Sequence, residues 1–353
     1  MKPIRIAAMT LAALVAACTG QQNGQSTTPA APQAALVGAG STFDYPFFSS
    51  AFGAYQQAHT GVTINYQSIG SGGGIQQFTA HTVDFGATDV PMSAKELSAV
   101  QGGLKAIIEI PVTLGGVAIA YNIPGVKTGL IVSPDVLSSI YLGSVKNWND
   151  PSIAKLNPSA KLPDLPIVVV HRADASGTTY IFTDYLSSVS SAWKSKVGKA
   201  KSVSWPAPSA VGMKGNEGVA GQIKNTPGAI GYVELAYALE TQMTYASVIN
   251  ASGAPVAPSI ASVRAAAATK PDVSPANFSI VNATGKSAYP IAGYSWVLLY
   301  KHYPDTTKQG ALCQLFHWLE TDGQKLAAGI DYVELPTSVS SRASAAIGPC
   351  STM

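Results

Sequence analysis

Charge is scarce in this sequence: Asp, Glu, Lys and Arg together make up 12% of its 353 residues, and the formal net charge is only +3. Such a balance argues against a nucleic-acid-binding surface, and with 46% hydrophobic residues it argues against a disordered chain. Histidine is also sparse. The five histidines, at 59, 81, 171, 302 and 317, are scattered without metal-ligand spacing, and Cys313 beside His317 reads as a helix-face coincidence, not half a zinc site. No repeat of fixed period is visible. Long apolar runs are missing too: the N-terminal run Ile6 to Ala17 is too short to cross a membrane as a helix. What remains is a compact, lightly charged chain rich in Gly and Pro, longer than one core usually organises, so two domains are expected.

The first residues, MKPIRIAAMTLAALVAAC, place Lys2 and Arg5 ahead of the apolar run and end it in small residues, the pattern of a secretory signal. Val15-Ala16-Ala17-Cys18 resembles the bacterial lipobox, in which Cys18 becomes the lipidated first residue, so residues 1–18 are read as signal and anchor. Loss of Lys2 and Arg5 lowers the net charge from +3 to +1, and global charge therefore does not attract a ligand. Residues 19–35, polar and Pro-containing, read as a flexible tether. With Cys18 lipidated, Cys313 and Cys350 remain, an even count that in an exported chain predicts a disulfide pinning the C-terminal tail.

From Ala35 onward β-rich runs alternate with amphipathic segments, an α/β pattern. Strands are predicted at 62–69, 106–122, 166–172 and 295–301, and helices at 46–59, 74–82, 133–141, 179–186 and 310–320. Gly115-Gly116 interrupts an extended apolar run, which marks a bend or a close backbone approach. A crossing between domains is placed near Val112 to Gly116, and a return near Tyr289 to Gly293.

Three loops share one design: GAGSTF (38–43), GSGGG (70–74) and ASGTT (175–179) each follow a β-type run and precede a helical pattern. A helix start exposes unpaired N–H groups at the positive end of its dipole, so an anion can be held there without formal charge. Other chemistries fail on inspection. GAGSTF has Phe43 where the dinucleotide fingerprint needs a third glycine, ATGKS (283–287) has Ile280 where a P-loop needs its first, and no Ser sits in a G-x-S-x-G elbow. Arg172 ends a strand where open α/β sheets place ligands, and its planar fork suits an oxyanion. Asp174, two residues on, either orients that guanidinium or forms a solvated pair. Asp89 is the odd member, because a carboxylate repels an anion unless the anion still has a proton to donate.

In order along the chain, GAGSTF, INYQSIGSGGGIQQF, TVDFGATDVPMS, GGVAIAYNIPG, IYLGSVKNWND, VVVHRADASGTTYIFTDYL and KGNEGVAGQIKNTPGAIGYVE closely resemble the periplasmic phosphate-binding proteins of high-affinity phosphate ABC transporters. The resemblance runs from about Leu36 to about residue 340. It implies the type II periplasmic binding protein fold: two α/β lobes, each a mixed sheet flanked by helices, joined by a two-segment hinge. Lobe 1 would be 36–113 with 291–353, and lobe 2 would be 114–290. It further implies phosphate contacts from Thr42, Phe43, Ser71, Asp89, Arg172, Ser176, Gly177 and Thr178, with Asp174 supporting Arg172. No cofactor or metal is implied. The implied partners are inorganic phosphate, the permease subunits of the transporter and, through the lipid anchor, a membrane; the protein would be a monomer in the periplasm or at the cell surface. Three positions depart from the family pattern: Ala175 replaces a glycine, Thr88 a serine and Asp44 a proline. Asp44 puts an extra carboxylate at a helix start, where it either weakens anion binding or faces solvent and favours the dipole.

Donor and acceptor counting then gives a selectivity rule. Phosphate near neutral pH keeps at least one proton and can donate to Asp89, whereas sulfate only accepts and would meet an unpaired like charge. Two other functions compete: a surface phosphate sensor or scavenger without a permease, which uses the same site, and a phosphatase built on the same fold. The second lacks a nucleophile paired with a base, and lacks a metal cluster.

Overall fold

The computed structural model describes residues 34–348. The signal segment, Cys18, nearly all of the tether and Cys350 lie outside them; Cys313 is disulfide-bonded.

The chain opens with β1 (Ala34–Gly40), which pairs in parallel with β2 (Val62–Ser68) on one side and β3 (Phe85–Thr88) on the other. Parallel neighbours need crossover connections, and α1 (Tyr45–Ala58) and α2 (Ser71–Thr79) supply them. In α1 the buried residues Phe47, Phe48, Ala51, Phe52 and Tyr55 recur at helical spacing, so one stripe of the helix lies on the sheet.

The strand β4 (Ile107–Tyr121) is the long member. Ile107 to Gly116 pair antiparallel with the strand Ala292–Tyr300, and Val117 to Tyr121 pair antiparallel with the strand Ala229–Glu234. One strand thus serves both halves of a nine-stranded sheet. From one edge its order is β2, β1, β3, Ala292–Tyr300, β4, Ala229–Glu234, Val168–Arg172 and Val211–Met213, with Thr244–Tyr245 pairing β4 off this path. At the changeover Gly115 and Gly116 are closely approached: a Cβ on Gly115 would lie 2.9 Å from the Phe43 ring, and one on Gly116 2.9 Å from a Val263 methyl. A small sheet of Ile131–Val132, Ser247–Ile249 and Pro255–Val256 completes the strands among the described residues.

Both faces of each half are covered. Leu36, Phe47, Phe52, Phe85, Val297 and Phe316 form a core on one face of the first half, and Ala39, Ile75, Phe78 and Leu298 one on the other. In the second half Ile119, Val169, Phe182 and Tyr232 oppose Val170, Val219, Ile223 and Val233. Successive residues of a strand point to opposite faces, so Val169 and Val170 enter different cores, and this explains why the run before Arg172 has no polar alternation. The result is a mixed α/β fold of two lobes.

Each predicted strand is present, as Val62–Ser68, Ile107–Tyr121, Val168–Arg172 and Ala292–Tyr300. The helices differ at their starts. α2 begins at Ser71, three residues ahead of the expectation, because Gly70 at φ 89° makes the turn alone and Ser71 to Gly74 already form the first helical turn. The helix predicted from Thr179 begins at Gly177 and runs to Val189, with Ser176 as its cap. The helix predicted from Gly310 begins at Thr306, where Asp305 accepts from the N–H groups of Thr307 and Lys308.

Candidate functional site

Three helix starts meet around one buried carboxylate. Asp89 follows β3 and is 2% exposed. Ahead of α1, Ser41 donates its hydroxyl to Asp89 Oδ1 and accepts from the Phe43 N–H at 2.9 Å. At the first residue of α2, Ser71 Oγ lies 3.4 Å from Asp89 Oδ2 and accepts the N–H of Asp89 at 3.2 Å and of Gly177 at 3.0 Å. Gly177 opens the third helix, and a side chain there has no room: its Cβ would strike Asp89 Oδ2 and lie 2.6 Å from Ser71 Oγ. From the strand Ala292–Tyr300, Ser295 Oγ reaches Asp89 Oδ1 at 2.9 Å.

Arg172 forms the second centre. It is 4% exposed, and its guanidinium grips Asp174 through Nε at 2.8 Å and through Nη2, a bidentate pair. Asp174 is held in turn by the Gly215 N–H at 3.1 Å. Asp174 therefore orients the guanidinium and is not a solvated partner. Nη1 of Arg172 lies 3.4 Å from Thr178 Oγ1. Asn216 then ties Thr178 to the α1 start: its Nδ2 donates to Thr178 Oγ1 at 3.2 Å and to Thr42 Oγ1 at 2.8 Å. Tyr237 O–H donates to the Thr42 carbonyl at 2.8 Å, and Tyr332 O–H to that of Phe43. His171, next to Arg172 on the strand, turns away and stacks on Trp205 at 4.9 Å.

Burial raises the Asp89 carboxyl from 3.8 to about 6, although Ser41, Ser295, the Arg172 charge and Ser71 all pull it down. Burial likewise pushes Asp174 upward, but its bonds to Arg172 and that charge outweigh the push and hold it below the usual range. Asp44 is fully buried, which rules out the solvent-facing alternative, and burial followed by the nearby Asp89 charge drives its carboxyl well above the ordinary value. Its oxygens lie 2.6 Å from Ser295 Oγ and 3.3 Å from Tyr66 O–H.

The expected residues thus gather in two linked groups: Ser71 and Gly177 at the Asp89 carboxylate, with Phe43 tied in through Ser41, and Asp174 and Thr178 at the Arg172 guanidinium, with Thr42 joined to Thr178 through Asn216 and the Arg172 charge felt at Asp89. Ser176 plays a more local part, accepting from Thr179 N–H at 3.1 Å while its own N–H is taken by Lys201 O. Ala175 does not need a left-handed backbone, and its carbonyl accepts from Gly72 N–H at 2.8 Å. Sequence reasoning missed Ser41, Asn216 and Ser295. Ser41 stood inside GAGSTF and Asn216 inside KGNEG, both at helix starts; Ser295, within a strand, gave no signal. It also missed an ion pair of Glu96 with Lys201 at 2.5 Å, which links the helix Ala94–Ala99 to the loop carrying the carbonyl that binds Ser176. Chemically, the cluster offers N–H and O–H donors, one guanidinium and one acceptor carboxylate. Among the described residues no group of three or more His, Cys, Asp or Glu is placed to hold a metal, and no helix is long and apolar enough to cross a membrane.

The chain matches the PBP superfamily domain over residues 25–317. It is 44% identical over 326 residues to the phosphate-binding protein PstS of Xylella fastidiosa, covering 90% of this chain and 87% of that one. It is also 44% identical over 309 residues to the PstS of Pasteurella multocida, with 86% and 87% covered. Among solved structures, a high affinity periplasmic phosphate-binding protein (PfluDING) bound with phosphate superposes with a TM-score of 0.68 at 23% identity, over 88% of this chain and 93% of that one.

Proposed function

The chain belongs to the PstS family of phosphate-binding proteins within the PBP superfamily, and from that premise we propose that it captures inorganic phosphate between its lobes and hands it to the permease of a phosphate ABC transporter. The observation that carries this reading is Asp89, a buried acceptor in a nest of donors. Ser41, Ser71 and Ser295 surround it, Gly177 N–H donates to the Ser71 hydroxyl beside it and the Arg172 charge reaches it. Donors and the guanidinium complement the oxygens of the anion, and Asp89 accepts a hydrogen bond from its proton. Sulfate, having none, meets an unpaired buried charge. Thr42, Phe43, Ser71, Asp89, Arg172, Ser176, Gly177 and Thr178 are the proposed contacts, with Asp174 fixing the arginine.

The lobes are assigned to 36–113 with 291–353, and to 114–290. The hinge is assigned to the two chain segments near Gly116 and Ala292, which are register partners where β4 changes neighbours. A ligand touching both lobes favours the closed state by its differential affinity, and a permease can read that shape. No covalent step is part of the proposal. Cys18 would carry lipid, holding a monomeric binder near its membrane on the tether.

Two experiments test this. Calorimetric titration of the chain lacking residues 1–18 with phosphate is expected to show one site, and absence of heat at millimolar phosphate would sink the binding claim. Deletion of the protein is expected to abolish high-affinity phosphate uptake by cells; unchanged uptake would turn the reading into that of a sensor or scavenger.

A further inference from the structure

Asp44 belongs to no expected contact, yet it is wholly buried within one serine of Asp89. Ser295 Oγ stands 2.6 Å from Asp44 Oδ2 and 2.9 Å from Asp89 Oδ1. A hydroxyl has one hydrogen, so it cannot donate to both. Tyr66 does not relieve the shortage, because its O–H is also 2.8 Å from the Ser41 carbonyl, which can only accept. Ser41 and Ser71 also serve Asp89, so the Ser295 hydrogen is the one in dispute, and two charged carboxylates on either side of it would be a buried like-charge pair, in a place where an unpaired charge is costly. One added proton removes that repulsion.

The Ser41 hydroxyl already serves Asp89, as does the Arg172 charge, while Asp44 has neither. The proton accordingly falls on Asp44. We propose that Asp44 is a neutral carboxylic acid that positions the anion site: it donates to Ser295 Oγ, Ser295 donates to Asp89 Oδ1, and Asp89 stays charged, its Oδ2, 3.4 Å from the Ser71 hydroxyl, accepting a hydrogen bond from the ligand. This rests on the phosphate reading above for its functional half, but not for the protonation of Asp44 itself. The other ionisable groups that bear on Asp44 are Tyr66 from β2, Asp89, and Tyr237 and Tyr332, whose hydroxyls hold the carbonyls of Thr42 and Phe43. Every one of these is neutral or anionic near pH 7, so none favours a second negative charge; burial supports the same direction.

The device makes Asp44 a specificity residue. While it is protonated the site holds one negative charge, and a rise in pH that ionised it would place two carboxylates against the incoming anion. The test uses the full chain and two readouts. Infrared difference spectra at pH 7, parent minus Asp44→Asn, are expected to show the carbonyl stretch of a protonated carboxylic acid; carboxylate bands in its place would overturn the proposal. Phosphate affinity is then followed from pH 6 to 10 in the parent, Asp44→Asn and Ser295→Ala. The titration of phosphate is common to all three, so a steeper alkaline fall in the parent than in Asp44→Asn, by about tenfold or more per charge removed, the low end of the scale for close charge pairs, belongs to Asp44. Superimposable profiles would overturn the positioning role. Ser295→Ala is expected to weaken phosphate by about tenfold or more at pH 7, the worth of one hydrogen bond to a charged group. A parent that binds no phosphate would sink the earlier reading, whereas loss of the infrared band would sink this one alone.

Discussion

Replacing Asp89 by Asn removes the charge at the centre of the site while keeping its shape, and the structure sets the expected size of the effect. Burial raises this carboxyl from 3.8 to about 6. At about 1.36 kcal/mol per unit, keeping Asp89 ionised costs the ligand-free fold about 3 kcal/mol at order of magnitude. A raised group stabilises the fold through its bound proton, so that stabilisation is whole below pH 3.8 and is lost as pH rises through about 6. Asp89→Asn carries no such penalty. Its gain over the parent is expected to be near zero at pH 4 and to approach about 3 kcal/mol by pH 8, less whatever the serine donors lose on facing an amide. The assay is denaturant unfolding of the phosphate-free proteins at both pH values. A second readout is selectivity: with the charge gone, the phosphate-to-sulfate affinity ratio is expected to fall by about two orders of magnitude, the equivalent of several kcal/mol of buried like charge. A variant less stable than the parent at pH 8, or one whose stability difference ignores pH, would refute the account of Asp89 as a buried, ionised acceptor.

Other substitutions probe the remaining parts. Arg172→Ala strips a buried guanidinium from Asp174 and from the anion, and phosphate affinity measured by calorimetry is expected to drop by about 2–5 kcal/mol; an unchanged affinity would remove Arg172 from the site. Gly177→Ala pushes a methyl against Asp89 and 2.6 Å from Ser71 Oγ, an overpacking cost of about 1–3 kcal/mol that is expected to appear as weaker phosphate binding. Wild-type affinity would show that the ligand-bound arrangement does not bring these residues together. Glu96→Gln breaks the pair with Lys201; since such pairs are worth about 1 kcal/mol at most, phosphate release in stopped flow is expected to speed up by less than about fivefold, with the difference vanishing in high salt.

The parts of this site that were legible in the sequence are those with a local signature. Arg172 ends an apolar run, the Gly-Ser loops announce helix starts, and Asp89 stands out as a carboxylate among them. Gly70 already hid one boundary, because a glycine run reads as loop even where its first turn is helical. Asn216 joins Thr42 and Thr178 across 174 and 38 residues, and Ser295 meets Asp89 across 206, so nothing near either in sequence marks them. Asp44 shows the limit most clearly. At a helix start a carboxylate has a good reason to face water, and only the packing of Ser295 and Tyr66 around it reveals that it does not.

The central claim is that a buried carboxylate selects the anion by its proton. It is tested most directly by calorimetric titration of the ligand-free parent with phosphate and with sulfate in the same buffer at pH 7. Tight binding of phosphate with sulfate weaker by two orders of magnitude or more, about 3 kcal/mol on the scale of an unpaired buried charge, is the predicted result. Equal affinities for the two anions would contradict it.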